Sequence, residues 1–144
     1  MKDQDLNKVF LFKLDQTAKQ FKKYKNHIFK QNGIDITSDQ WILLKNIKEK
    51  EGINQTELAK RSKKEAAAVT RTLDILERKE WIKRERDPES RREYNLYTTR
   101  KGDKIVEKIL PIALAIRKKA KRSITKEDLG VFNKVLDAIY QNLT

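Results

Sequence analysis

The chain has no cysteine, which excludes disulfides, thiolate zinc sites, nucleophilic thiols and thiol-based redox sensing. Its one histidine, His27, leaves little for a metal, reads as a surface residue of the first helix, and anchors no metal-ligand spacing. Four glycines in 144 residues nearly rule out a glycine-rich phosphate loop, and no histidine–carboxylate–nucleophile set is visible. An enzyme is therefore not expected, and no cofactor is called for. The amino terminus MKDQDLNKVF is charged and lacks the apolar core of a signal peptide. No apolar run approaches the length of a membrane span, so the expectation is a soluble, cytoplasmic protein with no membrane partner.

What is abundant is positive charge: Lys and Arg number 34 against 21 Asp and Glu, a formal net charge of +13. Such an excess favours a polyanionic partner, although a lysine-rich solubilising surface accounts for the total equally well. Position decides more than total. Basic residues gather between Lys60 and Lys104, in the middle of the chain.

That middle, from Asn54 to Gly102, reads as helix, tight turn, second helix and basic two-stranded hairpin. Asn54 with Glu57 gives a helix start, and Leu58 and Ala59 its apolar positions. The next start is ambiguous. Ser62 with Glu65 forms a possible capping box that would begin the second helix at Lys63; a longer turn would begin it near Glu65. In the first case Lys63 and Lys64 oppose the helix dipole, a conflict a phosphate would remove. In AAAVTRTLDILERK, residues 66–79, Val69, Leu73 and Leu76 share one face while Thr70, Arg71, Asp74 and Arg78 point elsewhere. Such a helix has one side for a core and another for a partner. Residues 81–86 and 93–98 read as strands joined by a loop with Asp87-Pro88 and the pair Arg91-Arg92.

Upstream, Leu6, Phe10, Leu14, Thr17, Phe21, Tyr24 and Ile28 mark one helical seam, ended by Gly33. Thr37 with Gln40 is a capping-box pattern opening a helix with Trp41, Leu44 and Ile47 on its buried face, and Ile53 suits a short bridging strand. Downstream, a helix runs from Asp103 to about Arg122 and should kink at Pro111, which lacks an amide proton and crowds the preceding turn. Its end, residues 117–122, reads as a solvated basic run. Thr125 with Asp128 caps a last helix with the seam Leu129, Phe132, Leu136, Ile139 and Leu143. The apolar surface at both ends is generous for one chain, and a two-fold dimer is the commonest way to cover it.

In element order the chain resembles the MarR family of transcriptional regulators over nearly its whole length. The segments that carry the resemblance are ITSDQWILLKNI, NQTELAKR, AAAVTRTLDILERK and DPESRREYNLYTTRKG, in that order and without gaps. The resemblance implies a mainly α fold with a small β-hairpin wing. It is a winged helix-turn-helix over residues 34–102, flanked by dimerisation helices in 1–32 and 103–144. It implies a homodimeric repressor on a palindromic double-stranded operator, often released by a small, frequently phenolic ligand. Carried over by position, Ala67, Ala68, Thr70 and Arg71 face the major groove. Arg71 is suited to guanine O6 and N7, and the alanines either touch thymine methyls or simply fill the helix. Arg92 falls on the family's minor-groove wing arginine, while Arg91, Arg86, Lys63 and Lys64 suit phosphates. Phe21, Tyr24, Phe29 and Trp41 are candidates to line an aromatic ligand pocket, or are plain core.

Three positions depart from the family pattern. Ser90 replaces an acidic residue, which leaves Arg92 either held by Asp87 or Glu89 or less ordered. Glu80 replaces the glycine after the recognition helix, and Ser62 and Lys64 stand where the turn is commonly apolar. Two rival readings remain open: a DNA-binding dimer without a small ligand, its occupancy set by its own concentration or by a protein partner, and a structural or RNA-binding basic protein. The latter would need exposed stacking aromatics, for which Tyr94 and Tyr97 are the candidates, although bracing the wing is the simpler role.

Overall fold

The computed structural model describes residues 5–144. Residues 1–4, the start of the charged amino-terminal stretch and of the first dimerisation segment, lie outside the described residues. The chain divides into two units, Met1–Ile112 and Ala113–Thr144.

Local signals set most boundaries in the first unit. The leading seam does not form one helix: Leu6–Lys8 is a 3-10 turn, Val9 is extended, and α1 spans Phe10–Gln31. Asp5 explains the short turn, since its side chain accepts from the Asn7 amide and holds a separate cap. Gly33, at φ +69°, turns the chain out of α1 as expected. α2 (Ser38–Glu49) opens on the full capping box, with Thr37 Oγ1 accepting from the Gln40 amide and Gln40 Oε1 from the Thr37 amide, both at 3.2 Å. β1 (Ile53–Asn54) leads into α3 (Gln55–Ser62), where Asn54 Oδ1 accepts from the Glu57 amide at 2.8 Å.

The ambiguous turn resolves in favour of its longer form. Ser62 ends α3, Lys63 is left-handed at φ 56°, and α4 spans Ala66–Arg78 with Glu65 at its N-cap. Ser62 lies inside the last turn of α3 and its hydroxyl accepts from Asn46 Nδ2 of α2 at 3.0 Å in place of capping α4. Lys63 and Lys64 thus precede α4 and do not oppose its dipole from the first turn. Past α4, Glu80 takes the left-handed conformation that a glycine would adopt freely, at φ 63°.

β2 (Ile82–Arg86) and β3 (Tyr94–Thr98) form the hairpin, and β1 joins on the far side of β3, all antiparallel in the order β1-β3-β2. α5 (Arg100–Ala120) starts three residues before the expected Asp103, because Thr99 Oγ1 caps it by accepting from the Gly102 amide at 3.0 Å. Gly102 is required there: a Cβ would sit 2.0 Å from the Trp81 carbonyl oxygen. Pro111 lies inside α5 and does not end it.

One core joins these elements within the first unit. Phe29, Trp41, Leu44, Ile47, Leu58, Val69, Leu73, Leu76, Trp81, Leu96, Val106 and Ile109 are buried together. It fixes α4 against α2, α3 and the sheet, so the outward side of α4 is rigidly presented. In the second unit, α6 (Lys126–Asn142) is capped by Thr125, whose hydroxyl accepts from the Asp128 amide at 3.1 Å. None of its residues is buried. Among the described residues no helix is long and apolar enough to cross a membrane.

Candidate nucleic-acid interface

The outward side of α4 carries the four residues expected to read bases. Ala67, Thr70 and Arg71 are exposed and Ala68 is half-buried. The Thr70 hydroxyl donates to the Ala66 carbonyl at 3.1 Å and lies 2.7 Å from Gln55 Nε2, which donates to it. Gln55 therefore belongs to the same surface, a residue that reading the recognition helix by itself had missed. Asn54 as a cap does place Gln55 in the first turn of α3, but its partner Thr70 lies 15 positions away, a contact that no local pattern shows.

The wing is braced by its aromatics. Arg86 and Tyr94 are directly opposed across the hairpin, with the guanidinium 5.8 Å from the ring centre, and Lys83 faces Tyr97 in the same way at 5.7 Å. At the tip, the Asp87 carboxylate accepts from the Glu89 amide at 2.9 Å, and Ser90 Oγ lies 3.4 Å from the Arg92 amide. No ion pair from Asp87 or Glu89 to Arg92 occurs among the described residues; Asp87 instead accepts a hydrogen bond within the turn. Arg91 and Arg92 are both exposed.

Between wing and helices lies an open cavity of about 490 Å3, lined by Gln55, Thr56, Ala59, Lys60, Ala66, Arg92, Glu93 and Tyr94. Lys60 and Arg92 make it cationic, and Glu93 opposes them with a carboxylate 3.3 Å from the Thr56 hydroxyl. A phosphodiester backbone suits such a trough.

The structure sorts the basic residues of the middle into two groups. Some are committed within the fold: Arg61 to Asn46 and Glu49, Lys79 to Asp35, and Arg84 to Asp74 at 2.8 Å. Lys64 belongs with them, its ammonium 2.6 Å from Asp39. Arg84 ties β2 to α4 and fixes the spacing between wing and recognition helix. Others, including Lys60, Arg71, Arg78, Arg86, Arg91 and Arg92, are exposed. Three carboxyls are held below their usual range by these contacts: Asp39 by hydrogen bonds from Lys22 and Lys64, Glu49 by Lys45 and Arg61, and Asp103 by Thr98 and then Lys48.

The four aromatics considered for a ligand pocket do not share one environment. Phe29 is fully buried and Trp41 nearly so, both in the core. Phe21 is exposed on α1 with the Lys25 ammonium 4.2 Å above its ring, and Tyr24 is half-buried. Among the described residues no group of three or more His, Cys, Asp or Glu is placed to hold a metal.

Comparison with known proteins agrees with this arrangement. The sequence profile of the MarR family matches residues 36–94, which span the helix-turn-helix and most of the hairpin. A curated relative, the transcriptional regulator HosA of Escherichia coli O111:H-, is 26% identical over 98 residues, 68% of this chain and 73% of that protein. Among solved structures, that of MarR is 27% identical with a TM-score of 0.71, covering 90% of this chain and 96% of the other. The S. aureus MepR–DNA complex shares the fold at 22% identity, with a TM-score of 0.86 over 93% of this chain and 98% of the other. Fold, exposed recognition helix, basic wing and sequence match converge: the chain belongs to the MarR family of winged-helix, DNA-binding transcription regulators.

Proposed function

We propose that this protein is a homodimeric repressor that binds a palindromic double-stranded operator, with α4 in the major groove and the wing in the minor groove. The observation that carries this reading is the rigid outward face of α4, set beside a wing whose arginines are exposed. Arg71 reads guanine, Ala67 and Ala68 meet thymine methyls, and Thr70 with Gln55 completes the surface. Arg92 enters the minor groove, while Arg86, Arg91 and Lys63 meet phosphates. Lys64 is held back from the phosphates by its ion pair with Asp39. Residues 34–102 are the DNA-binding region, and 1–32 with 103–144 supply the dimer.

Support for the dimer comes from apolar side chains left in solvent in each unit, Leu6, Phe10 and Leu11 in the first, and Val131, Phe132, Val135 and Leu143 in the second. Monomeric proteins rarely expose large contiguous apolar patches, and Val131, Phe132 and Val135 lie within four residues of one another on one helix. Two copies would set two recognition helices about 34–36 Å apart, one turn of the duplex. A small aromatic ligand is the effector this reading implies. Phe21 and Tyr24 are its accessible contacts, since Phe29 and Trp41 are committed to the core. The site of action is cytoplasmic DNA.

Selection of bound sites from random duplexes tests the reading. The expected outcome is enrichment of a site with two-fold symmetry and a steep loss of affinity with salt. Failure to enrich any duplex, or preference for single-stranded RNA, would overturn it.

A further inference from the structure

The turn that sets the start of α4 is held by polar contacts to a single helix. From α2, Asn46 donates to the Ser62 hydroxyl at 3.0 Å and accepts from Arg61 Nε at 3.0 Å, and Glu49 accepts from Arg61 Nη2 at 2.9 Å. The contact closest to α4 is made by Asp39, whose Oδ1 accepts from Lys64 Nζ at 2.6 Å. Its other oxygen, Oδ2, accepts from Lys22 Nζ of α1 at 2.8 Å. One carboxylate thus links three elements.

Two further features raise the importance of this link. α4 begins two residues after Lys64, and its N-cap, Glu65, makes no side-chain capping hydrogen bond. The helix therefore lacks the local device that fixes the other helix starts at Thr37, Asn54 and Thr125. In addition, Asn26 of α1 accepts from the Ser38 amide at 2.7 Å, which fastens the first turn of α2, and with it Asp39, to α1. Lys25 of α1 stands close to the same carboxylate, and burial lowers its own pKa.

We propose that Asp39 is a positioning residue for DNA recognition: by holding both Lys64 and, through Lys22, α1 against α2, it sets where the recognition helix begins relative to the rest of the reading head. The inference rests on the reading that α4 contacts bases. Asp39 touches no DNA. It also neutralises two ammonium groups that would otherwise attract phosphate without regard to sequence, so its removal has opposite effects on the two kinds of binding.

The test compares the wild type, Asp39→Asn and Asp39→Glu on the duplex enriched by selection and on an unrelated duplex of equal length, with melting temperatures recorded. Asp39→Asn should weaken binding to the enriched duplex about tenfold, the loss expected for a charge-assisted hydrogen bond. On the unrelated duplex it should strengthen binding about twofold, because one negative charge is gone and two ammonium groups are released. Asp39→Glu should restore much of the discrimination. Affinities that rise together on both duplexes would mean that Asp39 only withholds Lys64 from phosphate, and would overturn the proposal, as would no change on either. Should Asp39→Asn fold poorly, Lys64→Met breaks one of the two bonds and leaves Lys22 in place. Its affinity must then fall further on the enriched duplex than on the unrelated one, and equal losses refute the idea. A wild type that does not distinguish the two duplexes refutes the functional reading itself. A wild type that does, beside an Asp39→Asn variant that distinguishes them equally well, refutes only the role of Asp39.

Discussion

α4 and α6 are both amphipathic helices with apolar residues at alternating spacings of three and four, yet they end in opposite circumstances. In α4, Val69, Leu73 and Leu76 are all fully buried. In α6, Phe132 and Leu143 of the seam stay exposed, Leu129, Leu136 and Ile139 are half-buried, and Val131 and Val135 are also in solvent. Amphipathicity alone does not say what covers a helix. For α4 the cover lies in the same chain, so its polar side is free to meet a partner of other chemistry. For α6 we attribute the cover to a second copy.

The contrast can be broken from either side. The largest effect is expected from Phe132→Asp, which places a charge in the exposed face of α6 without touching the core of the first unit. Sedimentation should show dissociation to monomers with the helix content intact, and DNA affinity should fall by about 100-fold or more as two linked reading heads become one. Leu73→Ala opens a cavity under α4 and should cost about 2–5 kcal/mol of stability by denaturant titration, whereas Phe132→Ala should cost the isolated chain almost nothing.

A smaller effect belongs to the outer side of α4. Arg71→Ala should lower affinity for the enriched duplex by about 1–3 kcal/mol while sparing an unrelated duplex. Equal losses on both would make Arg71 a phosphate contact. The smallest effect is at the exit of α4, where Glu80→Gly relieves a left-handed conformation and should add about 0.5–1 kcal/mol of stability, read as a raised melting temperature, with DNA binding unchanged.

Legibility in the sequence followed the range of the forces involved. The caps at Thr37, Asn54 and Thr125 act within three residues, and the sequence showed each of them. The start of α4 was ambiguous because Ser62 can cap a helix or serve another partner. That partner, Asn46, lies 16 positions away. The same limit applies to Lys64: its charge is visible in sequence, but the carboxylate that engages it, 25 positions earlier, is not. Phe29 and Trp41 show the corresponding limit for apolar groups, since the spacing that lines a pocket is also the spacing that fills a core. The unusual Ser62 and Lys64 of the turn have a physical explanation in the structure. Polar contacts to α2 stand in for the apolar packing the turn lacks.

The central claim is that two copies, joined through their exposed apolar helices, address one duplex together. Sedimentation equilibrium over a range of protein concentrations, with and without the enriched duplex, measures this directly. The account predicts a dimer at micromolar concentration and two chains on each duplex. A chain that remains monomeric throughout, or that binds the enriched duplex one copy at a time, would contradict it.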